Sequence, residues 1–140
     1  MKLLEILTRK GIDSDLSATD KLGVLRQMAH LAELQGADIQ SEELTEVLLE
    51  RESLGSTGIG GGIAIPHGKM GGIRRTVIVF GRSLEGIDFE AVDSQPCHLF
   101  FLLAAPDGSA GLHLKALARI SRLLRNEDFR QQLLEAPRKE

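Results

Sequence analysis

From Thr19 onward the apolar residues Leu22, Leu25, Ala29 and Ala32 recur three and four positions apart, the spacing that lines one face of a helix, and Gly36 supplies a stop. A second helix is predicted from Ser41, whose hydroxyl suits a cap over a first turn carrying Glu42 and Glu43. Leu44, Val47 and Leu48 form its apolar stripe, and it runs towards Arg51. The period then changes. Ile63-Ala64-Ile65 reads as a short strand ended by Pro66, while Thr76 to Phe80 and Cys97 to Ala105 read as buried strands. Leu84 to Val92, between those two, is expected to be loop and short strand around Gly86. Asp107-Gly108-Ser109 then interrupts the chain before a long amphipathic helix with Leu112, Ala116, Leu117, Ile120, Leu123 and Leu124 on one face. A last short helix from Asp128 to Leu134 stops at Pro137. Near the start, Leu3, Leu4, Ile6 and Leu7 suit either a short helical face or a strand.

Helices first, strands in the middle and helices last predict an α/β fold, a mixed β-sheet flanked by helices on both faces. Its 140 residues are expected to form a single domain spanning 1–140, long enough to bury a sizeable core. The 42% hydrophobic and 26% charged content is that of an ordinary soluble globule. A formal net charge of -3, with no Trp and no Tyr, argues against nucleic acid as a partner. Cys97 is the single cysteine and can form no internal disulfide, which suits a reducing, cytoplasmic location. The longest apolar run, Leu99 to Ala105, is far short of the roughly 20 residues that span a bilayer. Met1 to Lys10 carries Glu5 and no cleavage-like site, so neither membrane insertion nor export is predicted.

The least ordinary stretch is Gly55-Ser-Thr-Gly-Ile-Gly-Gly-Gly-Ile-Ala-Ile-Pro-His67-Gly-Lys69, in which six of fifteen positions are glycine. Glycine loses more backbone freedom on folding than any other residue, so such a run suits a place where bare N–H groups approach an oxyanion closely. Pro66 restricts both its own φ and the conformation of Ile65, which limits the directions in which the His67 imidazole leaves the backbone. Two named motifs fail here. A dinucleotide fingerprint counted from Gly58 and Gly60 needs a glycine where Ile63 stands, and a P-loop ending in Gly68-Lys69 needs one at the same position. A placed nucleophile at His67 and a flexible connector with an incidental histidine both fit the residues alone.

The wider stretch resembles a known signature. Arg51-Glu52, Leu54-Gly55-Ser56-Thr57-Gly58-Ile59-Gly60 and Gly62-Ile63-Ala64-Ile65-Pro66-His67-Gly68-Lys69 together resemble the active-site region of the fructose/mannitol-type enzyme IIA proteins of the bacterial phosphoenolpyruvate-dependent phosphotransferase system, most of all its nitrogen-regulatory branch. The resemblance runs from about Asp20 to Leu134. It implies the α/β fold already predicted. Relatives generally continue with a further helix past the point where this sequence stops at Glu140, so a missing C-terminal helix is expected.

The same resemblance implies a phosphocarrier that accepts a phosphoryl group on His67 from a histidine phosphocarrier protein. It would pass the group on in sugar transport, to an enzyme IIB domain, or in nitrogen-related regulation. A module whose phosphorylation state governs regulatory target proteins without onward transfer is the alternative. His113, in His113-Leu114-Lys115-Ala116-Leu117, matches the family's second histidine; by itself it reads equally as a helix-start histidine or a site residue. Arg51 matches a family arginine, and its planar fork suits two phosphate oxygens; without that neighbourhood it reads as a solvated helix-end residue paired with Glu50 or Glu52.

Further phosphate donors are expected from the hydroxyls of Ser56 and Thr57 and from the backbone N–H groups of Gly58, Gly60 and Gly62. Lys69 adds at most local positive potential. A neutral imidazole needs no strong base; its other nitrogen is expected to donate to a backbone carbonyl in the loop, which sets the tautomer. Ile59 and Met70 are candidates to touch the partner protein. His30 and His98 stand at no motif spacing and read as structural. No organic cofactor is required, and a metal site built from His67, His113 and Cys97 is a poor alternative because no close ligand pair exists.

Overall fold

The computed structural model describes residues 12–13, 16–35, 39–70 and 77–106, with the single helical positions 118 and 122. Leu3 to Leu7, Gly36, Thr76, His113 and the last short helix lie outside the described residues.

Helix α1, Lys21–Glu33, starts at Asp20, whose Oδ1 accepts the Gly23 N–H at 2.7 Å. Val24, Leu25, Met28, Ala29 and Ala32 form its buried face. Leu22, expected inside, is 38% exposed because it stands at the rim of that arc. Helix α2, Ser41–Ser53, has no side-chain cap of its own. Ser41 is its first helical residue rather than the cap, and its N–H is taken at 2.9 Å by Glu33 Oε2. A carboxylate from α1 thus does across the interhelical join what a local hydroxyl was expected to do.

Among the described residues six strands form one mixed, open sheet: β1 Ile12–Asp13, β2 Gly58–Gly60, β3 Ile63–Ala64, β4 His67–Met70, β5 Val77–Ile87 and β6 Cys97–Pro106, in the order β1-β5-β6-β3-β2 with β4 also on β6. Val77 to Ile87 is one strand of 11 residues, so the loop predicted around Gly86 begins only after Ile87; pairing with β6, shifted once between Arg82 and Ile87, carries the strand through. β3 and β4 follow one another along the same edge of β6, Ile63 opposite Leu99 and His67 opposite Leu103, with no slip in register across Ile65-Pro66. Pro66 lacks an N–H to donate but its carbonyl still accepts the Leu103 N–H at 2.9 Å. His67 therefore opens a strand instead of closing a loop.

Phe100, Leu102 and Ala104 of β6, with Val77 and Val79 of β5 and Ala64 of β3, share one core with the buried faces of α1 and α2. Ile78, Phe80, Leu99, Phe101 and Leu103 alternate with them and are also buried, with the Phe80 and Phe101 rings 4.8 Å apart, so both faces of β5 and β6 are covered. β6 is apolar at nearly every position for this reason, as expected of a strand covered on both faces. The site lies where α2 ends against β4. A Cβ on Gly68 would come within 2.6 Å of Val47 Cγ1, so a bare backbone at that position is what lets strand and helix approach.

Candidate active site

Arg51 and Glu52 are consecutive residues in the last turn of α2, about 100° apart around its axis, and they go opposite ways. Arg51 reaches out to β4: its Nε donates to His67 Nε2 at 3.3 Å and its Nη1 to the Gly55 carbonyl at 3.0 Å. Glu52 turns inward, where its carboxylate accepts the Thr57 N–H at 3.0 Å and the Thr57 hydroxyl and pairs with Lys21 Nζ at 3.0 Å. Neither Glu50 nor Glu52 is the partner anticipated for Arg51; the arginine spends its donors on an imidazole and a carbonyl.

His67 is half-buried, and its Nδ1 donates to the Ile65 carbonyl at 2.8 Å. That bond puts the proton on Nδ1 and leaves the lone pair on Nε2, where the Arg51 N–H meets it. Burial holds the His67 pKa below its ordinary 6.5; the Ile65 bond opposes this, the Arg51 charge adds to it, and the Glu52 charge opposes it. The ring is thus a neutral base with one defined nucleophilic nitrogen beside a cation.

The glycine run is built differently from the cradle expected of it. β2 pairs antiparallel with β3, Gly58 opposite Ala64, and Thr57 accepts the Ile65 N–H at 3.0 Å. The Gly55 end of the segment therefore lies near His67. Gly60, Gly61 and Gly62, with φ of 95°, 66° and 81°, form the turn at the far end, a backbone that L side chains rarely adopt. Four residues stand between Gly62 and His67, which puts the two Cα atoms about 16 Å apart at the rise of a strand. The Gly58 N–H goes to Ser56 Oγ, the Gly61 N–H goes to Asp93 Oδ2, and the Gly62 carbonyl takes the His98 and Leu99 N–H groups. A ring of Gly58, Gly60 and Gly62 amides beside His67 does not match this geometry.

The two hydroxyls are also committed. Ser56 Oγ donates to the Phe89 carbonyl at 2.9 Å, and Thr57 is buried against Glu52. Ile59 is exposed on β2, and Lys69 is exposed on β4. Of the other histidines, His30 is exposed on α1 and His98 bonds through Nδ1 to the Ser83 carbonyl at 2.9 Å. His113 lies outside the described residues.

Among the described residues no group of three or more His, Cys, Asp or Glu could hold a metal ion. Cys97 pairs with Ile87 and His67 with Leu103, six positions further along β6 and so roughly 20 Å away. Burial pushes the Cys97 thiol up to about 11, which keeps it protonated and unreactive. Among the described residues no helix is long and apolar enough to cross a membrane.

Sequence reasoning missed Glu52 and Lys21 as parts of the site. One signal was there: Leu44 and Leu48 are buried four apart, and the same stripe continues onto Glu52, a charge at a core position.

Comparisons with known proteins bear on the family and the fold. The chain is 43% identical over 136 residues to the PTS system fructose-specific EIIABC component of Bacillus subtilis, covering 97% of this chain but only 21% of that protein. It is 42% identical to a nitrogen regulatory protein of Bradyrhizobium diazoefficiens, over 95% of this chain and 86% of that one. The fold superposes with a TM-score of 0.92 on the nitrogen regulatory protein IIA-Ntr from Neisseria meningitidis, at 31% identity and with 99% and 94% of the two chains covered. Mannitol IIA from Escherichia coli shares the fold at a TM-score of 0.78 and 23% identity, over 98% of this chain and 93% of that one. The family profile described as "Phosphoenolpyruvate-dependent sugar phosphotransferase system, EIIA 2" matches residues 5–140. On that match the chain belongs to the EIIA 2 family of the phosphoenolpyruvate-dependent sugar phosphotransferase system, the phosphotransferase components that relay phosphoryl groups through a histidine.

Proposed function

We propose that His67 is the residue that carries the phosphoryl group, that Nε2 is the accepting atom, and that Arg51 is its electrostatic partner. One observation carries the reading: Nδ1 is held by the Ile65 carbonyl while Nε2 meets the Arg51 guanidinium. In the transfer, the Nε2 lone pair attacks phosphorus in line as the bond from phosphorus to the donor's imidazole nitrogen breaks, and that nitrogen recovers its electron pair. No proton has to move. Arg51 gives up Nε2 and turns its fork onto the equatorial oxygens, where positioning and charge supply most of the acceleration. His113 is the second histidine of this reading, on the strength of its motif alone.

The donor is a histidine phosphocarrier protein. The acceptor is an enzyme IIB domain, by analogy with the mannitol enzyme IIA of Escherichia coli, whose fold this chain shares and which forms a complex with phosphorylated enzyme IIB. The nitrogen regulatory relatives favour a second reading, in which the phosphorylated and free forms select different target proteins. Intact-mass measurement after incubation with phosphoenolpyruvate, enzyme I and the phosphocarrier protein tests the first step. One acid-labile, base-stable phosphate is expected, and its persistence in His67→Ala would reassign the site. Passage of that label to an enzyme IIB domain separates the relay from the regulatory module.

A further inference from the structure

The elements that meet at His67 are joined by a single hydrogen-bonded line. Lys21 Nζ, on the first residue of α1, pairs with Glu52 Oε1 at 3.0 Å and stands 4.8 Å from the Phe89 ring centroid. Glu52, with a side chain 4% exposed, takes both donors of Thr57. The Thr57 carbonyl accepts the Ile65 N–H at 3.0 Å, and the Ile65 carbonyl accepts His67 Nδ1–H at 2.8 Å. Burying an ion pair is costly, and packed apolar side chains of similar volume often stabilise as well or better. A charged pair here therefore needs a reason other than stability, and the orientation of the line supplies one.

We propose that Lys21, Glu52 and Thr57 form a buried positioning relay that sets the angle and tautomer of the His67 ring through the Ile65 carbonyl. The three touch neither His67 nor, on the proposed reading, the phosphoryl group. Their backbone and side-chain bonds hold the 55–57 segment against Ile65, while Arg51, the residue before Glu52, is fixed by the same helix turn. Glu52 has a second consequence: although it turns inward, its charge acts on the imidazole from a distance and counters the Arg51 cation. The relay rests on His67 being the phosphoryl acceptor, but its effect on the ring is readable without any transfer.

The test uses the full chain with Glu52→Gln, Thr57→Val and Thr57→Ser, each checked for folding by circular dichroism. Nitrogen-15 spectra of the ring report the tautomer and the titration of His67, and rapid-quench assays report transfer from the phosphorylated carrier. Glu52→Gln is expected to move the His67 titration to lower pH and to slow the transfer step roughly ten- to a hundredfold with little change in KM, since small misplacements of a reacting group are this costly. Thr57→Val is expected to weaken the single Nδ1–H signal and slow transfer similarly, and Thr57→Ser to restore both. A folded Glu52→Gln with the titration and rate of the unmodified chain overturns the relay. Should Glu52→Gln fail to fold, a folded Thr57→Val with unchanged ring signals and rate overturns it. Transfer surviving in His67→Ala would overturn the acceptor assignment instead, leaving the ring measurements to judge the relay.

Discussion

His67 and His98 are both half-buried, and each anchors Nδ1 on a backbone carbonyl, at 2.8 Å from Ile65 and 2.9 Å from Ser83. The difference lies at the other nitrogen. His67 Nε2 meets Arg51, delivered by the end of α2. His98 stands against the turn of β5, where a Cβ on Gly86 would lie 3.0 Å from its Nε2 and 2.9 Å from its Cε1. A fixed tautomer is therefore common to His98 and to the histidine proposed as the phosphoryl acceptor. What separates them is a cation at Nε2, which on the proposed reading gives way to a phosphoryl group, against a backbone that fills the same space.

The largest effect that would break this comparison comes from the two deletions side by side. His67→Ala is expected to lose the phosphate label completely, while His98→Ala keeps it and costs about 1 kcal/mol of stability for its lost bond, read by denaturant titration. Label retained in the first or lost in the second would erase the distinction. Next is Arg51→Ala, expected to slow transfer by about a hundredfold with the melting temperature little changed, as for removal of a charge-stabilising donor. Arg51→Lys should recover only part of that rate, because one ammonium cannot replace a planar fork.

The pH dependence sharpens the contrast further. The His67 pKa is lowered by burial, so the ring stays neutral and accepting as pH falls below 6.5, and the transfer rate should decline only at lower pH. The sign for stability follows: below 6.5 the unfolded chain binds a proton that the folded His67 resists, so stability falls with pH from the unfolded value down to the folded one. His67→Gln should flatten that slope in urea titrations between about pH 6.5 and the folded value. The smallest effect is that of Gly68→Ala, expected to cost about 1–3 kcal/mol as its Cβ pushes on Val47, with a modest loss of rate as β4 moves from α2. An unchanged stability would show that helix and strand are less tightly matched than they look.

Much of the site was legible because it is local. Arg51 closes an amphipathic helix, Pro66 restricts Ile65, and His67 follows directly, so short-range rules predict both that the ring is placed and that a loop carbonyl holds it. The glycine run was misjudged for a physical reason. Glycine marks a backbone without side chains, but whether its amides face a ligand or a neighbouring strand depends on pairing. Here β2 and β3 pair with each other, Asp93 takes the Gly61 amide, and Val92 and Phe89 bond the Gly58 carbonyl and the Ser56 hydroxyl.

Helices α1 and α2, the apolar strand β6 and the family signature follow from the order of residues alone, because helical period, continuous apolar runs and contiguous motifs need no partner to be visible. The direction of each charged side chain does not. Glu52 and Arg51 are neighbours with opposite charges and similar exposure to any sequence rule, yet one is buried on Lys21 and Thr57 and the other stands over His67. Only the packing of α1 against α2, and of α2 against β4, decides which turns inward, since a buried carboxylate is tolerable only where donors from distant parts of the chain converge on it.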